Sequence, residues 1–214
     1  MTKLEMYAPP AADAKPLSPT ELLAALRTAL QPWQPGTPFW IFAYGSLMWN
    51  PSFTFDARHV ATIRGYHRQF RVWSRINRGT PERPGLVLTL ECGGSCRGLV
   101  YRIPADLVQE QMNLIWKREM NYGSYRPKWL NCTVGDETIR ALVFTVNRQC
   151  SGYAGQLPLE AVVEAIASAK GRYGPAHDYL FRTTETLREH GIRDGNVEQL
   201  ASLVRARIAA AKAA

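Results

Sequence analysis

Cysteine is scarce in this chain: four in 214 residues, Cys92, Cys96, Cys132 and Cys150. That count excludes a small disulfide-stapled scaffold, and thiols so few are expected to stay reduced in a cytosol. Cys92 and Cys96 stand at a metal-ligand spacing, yet neither a His nor a second Cys-x-x-Cys accompanies them. The four ligands of a structural zinc are therefore not in view, and no metal is expected. Gly93-Gly94-Ser95 between the two cysteines predicts a hairpin turn that pairs residues 86–91 with 97–103. Long apolar runs are also missing. Nothing approaches the roughly 18 apolar residues of a membrane span, and residues 1–14 hold no signal-peptide core. The expectation is a cytoplasmic protein with no membrane partner. No repeat of fixed period is present, which excludes a solenoid. Negative charge is in deficit: 26 Lys and Arg against 18 Asp and Glu leave a net charge of +8. Such a balance suits an anionic ligand, but the basic residues are spread out, without interleaved aromatics or a nucleic-acid motif. A small acidic substrate is expected rather than nucleic acid.

What remains is ordinary globular composition, 46% apolar and 21% charged, in a chain of single-domain size. Residues up to about Lys15 read as a polar arm. Ser18-Pro19-Thr20-Glu21 has the form of a capping box and predicts a helix from Pro19 to about Leu30, with Leu22, Leu23, Leu26, Ala29 and Leu30 on one stripe. Strand-like runs follow at 39–42, 59–64, 66–74, 86–91, 97–103, 126–134 and 138–147, with a bulge or bend at Gly65. Their two-faced apolar character suits a small, strongly bent or closed sheet. From Pro158 the pattern turns helical over 159–169, 176–190 and 197–211.

Two stretches carry chemistry. In Phe39-Trp40-Ile41-Phe42-Ala43-Tyr44-Gly45-Ser46-Leu47-Met48 a core strand runs into a Gly-Ser turn, where backbone N–H groups can meet a ligand closely. In the helix expected from about Pro104 to before Gly123, Val108, Met112, Ile115 and Glu119 recur at spacings of four, three and four. Glu119 thus shares the face of the core stripe. A carboxylate there is a buried ion pair, to a neighbour of Arg118 or to Arg126, a helix end frayed into solvent, or a functional acid or base whose pKa burial raises. Arg75, Arg78 and Arg83 follow the second strand in a Gly- and Pro-rich loop; one of them could hold a substrate carboxylate, and solvated arginines are the alternative. His177, Tyr179 and His190 lie at helix positions where capping or packing is the ordinary role.

Phe42-Ala43-Tyr44-Gly45-Ser46-Leu47-Met48-Trp49, Arg64-Gly65-Tyr66-x-Arg68-x-Phe70, Arg78-Gly79 with Pro84-Gly85 before a Val-Leu-Thr-Leu strand, and Arg118-Glu119 followed by Gly123-x-Tyr125 together resemble the ChaC-type γ-glutamylcyclotransferases. Tyr153-Ala154-Gly155 and Asp178-Tyr179-Leu180 also resemble that family's C-terminal part. Ala43 departs from the pattern, since many members carry Gly there. The resemblance implies an α+β fold, a small mixed β-barrel flanked by helices. It implies residues 39–214 as the catalytic domain, with 1–38 an added arm and helix. It further implies cleavage of glutathione to 5-oxoproline and cysteinylglycine without metal or cofactor. Glu119 would be the catalytic carboxylate and Ala43, Tyr44, Gly45, Ser46, Leu47 and Met48 the substrate-binding loop, with Arg78 and Tyr179 as further substrate contacts. Two alternatives stay open: another γ-glutamyl compound as substrate, or a non-enzymatic basic binding module. Oligomeric state is not legible.

Overall fold

A computed structural model describes residues 16–213. The arm expected up to Lys15 lies outside the described residues. The described chain divides into two compact units, residues 16–68 with 89–150, and residues 69–88 with 151–213.

The sheet is built on strands whose apolar residues have no open sheet edge to leave exposed. Strands β1 (Phe39–Ala43), β2 (Ala57–Ser74), β3 (Gly85–Ile103), β4 (Tyr125–Val134) and β5 (Glu137–Val146) close into a barrel in the order β1-β3-β2-β4-β5. β1 runs antiparallel to β3, from Phe39 opposite Ile103 to Ala43 opposite Leu99, and parallel to β5, with Ile41 opposite Leu142. The barrel is therefore mixed, and Phe39, Ile41, Ile63, Leu90, Leu99, Tyr101 and Leu142 are fully buried. Gly135, with φ +56°, and Asp136 make the two-residue β4–β5 turn, a conformation that Gly-containing hairpin turns favour. Helix α1 (Pro19–Leu30) starts as its capping box dictates: Ser18 Oγ accepts from the Glu21 N–H and Glu21 Oε2 accepts from the Ser18 N–H. It buries Leu26 and Ala29 and contacts α3 (Val108–Glu119). The Trp129 indole N–H donates to the Ala29 carbonyl at 2.8 Å, and the Leu17 N–H to the Asn121 carbonyl at 2.8 Å.

Two sequence expectations are corrected. The runs 86–91 and 97–103 are not two arms of a hairpin: β3 is one strand of 19 residues that passes through Gly93 (φ +104°) and Gly94 (φ +68°) without reversing. Glycines with left-handed dihedrals suit a bulge as well as a turn, and pairing decides between them. Here β2 lies alongside, with His67 Nδ1 2.9 Å from the Gly93 carbonyl. The runs 59–64 and 66–74 join as one strand, β2, through Gly65 at φ +81°, where the sequence places a bulge or bend. The bulge shifts the buried phase from Ala61 and Ile63 to Arg68, Phe70 and Val72. Helix α3 begins at Val108 rather than near Pro104, because residues 104–107 form a turn closed by the Leu107 N–H on the Pro104 carbonyl.

The second unit holds α4 (Leu159–Ser168), α5 (Ala176–Glu189) and α6 (Gly195–Ala213), which pack on one another, and a two-stranded ladder of β6 (Lys170–Gly171) with β7 (Gly174–Pro175). Among the described residues no helix is long and apolar enough to cross a membrane.

Candidate active site

β1 ends at Ala43, and the chain makes one helical turn, α2 (Ser46–Trp49), before Asn50. The Met48 N–H donates to the Gly45 carbonyl and the Asn50 N–H to the Ser46 carbonyl, both at 2.9 Å. Ala43, Tyr44, Gly45, Leu47 and Met48 are buried and Ser46 is half-buried. The buried guanidinium of Arg68 holds this segment from its strand: Nε donates to the Tyr44 carbonyl at 2.6 Å, and Nη2 reaches the Arg97 carbonyl and the Met48 sulfur. The Tyr101 hydroxyl donates to the Met48 carbonyl at 3.1 Å. Gly98 on β3 makes room for the entry to the segment, since a Cβ there would collide with the Ala43 carbonyl and the Phe42 ring.

Glu119 is the last residue of α3, one turn beyond the buried Ile115 and Trp116. Its side chain is only 13% exposed, and Arg118 Nε lies 3.1 Å from its Oε1. Burial holds the Glu119 carboxyl above the usual carboxylate range, against the smaller opposing pull of the Arg118 charge. The ion-pair partner is thus Arg118 itself; Arg126 bonds instead to Asn147 and Gln149. Arg118 also reaches the segment after β1: Nη2 donates to Ser46 Oγ at 2.9 Å, and Nη1 to the Asn50 carbonyl at 2.6 Å and to Ser52 Oγ at 2.8 Å. Glu119 and residues 43–48 are thereby joined through one side chain. This arrangement puts a desolvated carboxyl, able to take and return a proton, close in structure to a turn of backbone donors.

Arg78 and Tyr179 meet each other in the second unit. The Arg78 guanidinium carbon lies 5.8 Å from the Tyr179 ring centroid, and Arg78 Nη1 donates to the Tyr173 carbonyl at 2.7 Å and the Pro175 carbonyl at 3.2 Å. Arg78 is buried rather than solvated. Sequence reasoning passed over Arg68 and Arg118 as site residues. The signal for Arg68 was its period-two relation to Phe70; for Arg118 no periodicity could serve, since it stands beside Glu119 on the helix and its reach is set by the fold.

A family model described as ChaC-like protein matches residues 39–207. The chain is 36% identical over 164 residues to the glutathione-specific γ-glutamylcyclotransferase of Escherichia coli (strain K12), a match covering 76% of this chain and 71% of that protein. It is 30% identical over 199 residues to the Homo sapiens glutathione-specific γ-glutamylcyclotransferase 1, covering 90% and 89%. Among solved structures, a yeast γ-glutamyl cyclotransferase specific to glutathione superposes with a TM-score of 0.74 at 21% identity, over 79% of this chain and 96% of that one. That last likeness is one of fold. The family match begins at Phe39, the first residue of β1, and leaves α1 outside it.

Proposed function

Because the chain belongs to the ChaC-like protein family, we propose that it is a γ-glutamylcyclotransferase that cleaves glutathione to 5-oxoproline and cysteinylglycine. A γ-glutamyl compound carries its own nucleophile. The α-amino nitrogen can close a five-membered ring on the γ-carbonyl carbon, so proximity is already present and the enzyme must move protons and stabilise charge. The ring C–N bond forms and the γ-carbonyl becomes an oxyanion. The bond to the cysteinyl nitrogen then breaks as that nitrogen gains a proton, and no water is consumed.

The observation that carries this reading is the Glu119 carboxyl, desolvated at the end of α3 and tied through Arg118 to the turn after β1. A carboxyl raised toward neutrality can take the amine proton as a base and return it to the leaving nitrogen as an acid. Backbone N–H groups of Gly45, Ser46 and Leu47 are the donors assigned to the oxyanion, and Tyr44 is assigned to the pocket wall. The catalytic portion is taken as residues 39–214, with 1–38 added to it; the start of the family match at Phe39 supports that division.

The test is 5-oxoproline production, followed by mass spectrometry, from glutathione and from γ-glutamyl-alanine. Wild type is expected to act on glutathione, and Glu119→Gln to lose about a hundredfold or more of the rate with its circular dichroism unchanged. Retained turnover in Glu119→Gln ends the assignment of the acid–base. Product from the dipeptide alone keeps the chemistry and changes the substrate.

A further inference from the structure

We propose that Arg118 is a positioning residue, whose guanidinium locks the Glu119 carboxylate and the turn after β1 into a single register for cyclotransfer. The proposal rests on the cyclotransferase reading above. Three hydrogen bonds and one ion pair leave one planar group in different directions: Nε pairs with Glu119 Oε1 at 3.1 Å, Nη2 donates to Ser46 Oγ, and Nη1 donates to the Asn50 carbonyl and to Ser52 Oγ. Ser46 opens the one-turn helix α2 and Asn50 closes it, so the guanidinium grips both ends of that turn while it holds the carboxylate.

A basic residue in the last turn of a helix has an ordinary role, complementing the helix dipole. That role needs charge alone and none of these four contacts. A lysine would supply the charge, but its ammonium has three donors and no fixed plane, so it cannot keep the four acceptors in one geometry. Ser52 gives an independent sign of the clamp. Among the described residues it is the one non-glycine with a positive φ, +50°, a conformation that persists where surrounding contacts hold it. The Arg118 bond to its hydroxyl is such a contact. Ser46 is affected as well: a hydroxyl that accepts from a guanidinium keeps its own proton free to donate. Arg118 therefore presents Ser46 as a donor as well as fixing where it stands.

The test compares wild type with Arg118→Lys, Arg118→Gln, Ser52→Ala and the Arg118→Lys/Ser52→Ala pair. Two readouts are used: kcat and KM for 5-oxoproline formation from glutathione, and titration of the Glu119 carboxyl by carbon NMR, which needs no substrate. Arg118→Lys is expected to lower kcat about tenfold or more while KM and the Glu119 titration stay near wild type. Arg118→Gln is expected to lower kcat and also to move the titration to higher pH. Ser52→Ala is expected to cost about threefold or more in kcat in the wild-type background and nothing further beside Arg118→Lys, because both changes break the same clamp. Wild-type kcat in Arg118→Lys, additive losses in the pair, or an unmoved Glu119 titration in Arg118→Gln each overturn the proposal. If Arg118→Gln does not fold, the lysine and Ser52 variants decide the matter. A wild type that makes no 5-oxoproline from either glutathione or γ-glutamyl-alanine overturns the reaction assigned, while the titration in Arg118→Gln still reads the Arg118–Glu119 contact.

Discussion

At Glu119 burial and charge act in opposite directions on one proton. Loss of hydration favours the neutral acid, and the Arg118 guanidinium favours the carboxylate; burial prevails and the carboxyl sits above its ordinary value of 4.5. A base must be ionised to accept a proton, so kcat/KM is expected to fall on the acid side through a group titrating above pH 4.5. A pH–rate series with glutathione checks this; an acid limb at or below the ordinary glutamate value would count against Glu119 as the base. The four-three-four spacing made Glu119 legible in the sequence, because helical geometry alone puts it on the core face. Arg118 was legible only as a neighbour. Adjacent helical residues do not share a face, and the reach of Arg118 to Ser46 and Asn50 comes from the packing of distant chain segments.

Among the elements, the pair formed by β1 and β3 determines where the turn after β1 leaves the barrel. Ala43 stands opposite Leu99, and the neighbouring Gly98 has no room for a side chain against the Ala43 carbonyl and the Phe42 ring. Gly98→Ala is expected to destabilise by about 1–3 kcal/mol, as overpacking of tight sites does, and to lower kcat/KM because the strain falls on the residue that begins the loop. Urea unfolding and the 5-oxoproline assay measure the two effects; a variant with wild-type stability would show that the strands part without cost. The elements also mark where local pattern misled. Gly93 and Gly94 carry the signature of a turn, and in a free peptide they could make one. With β2 alongside as a partner, ladder bonds form if the strand continues, and the glycines stay within it. Helix α1 was readable to the residue, because its start rests on Ser18, Pro19 and Glu21 alone.

For the whole molecule the raised carboxyl has a consequence in stability. A folded-state pKa above the ordinary value means that the folded protein binds the proton more tightly than the unfolded chain does. The stabilisation is fully present below pH 4.5 and is lost as pH rises through the folded value. Glutamine carries no such dependence. Glu119→Gln is therefore expected to melt above wild type at pH 7–8, with the difference shrinking as pH approaches 4.5. Calorimetry over that pH range decides it, and a variant that melts at or below wild type near neutrality would show that the Arg118 pair outweighs the cost of burial.

The sequence by itself determined the helices longer than one turn to within a few residues, the strand that leads into Tyr44-Gly45-Ser46, the core-facing position of Glu119 and the motifs that placed the chain with the ChaC-type cyclotransferases. These rest on interactions between residues close in the chain, or on periodicity that any window displays. The tertiary structure alone decided that the runs on either side of Gly93-Gly94 are one long strand, in what order the strands close, that Arg68 is buried beneath the Tyr44 carbonyl and that Arg118 joins the acid to the turn. Each of those depends on a partner tens of residues away. Such contacts exist only once the entropy of closing the intervening loops has been met by the rest of the fold.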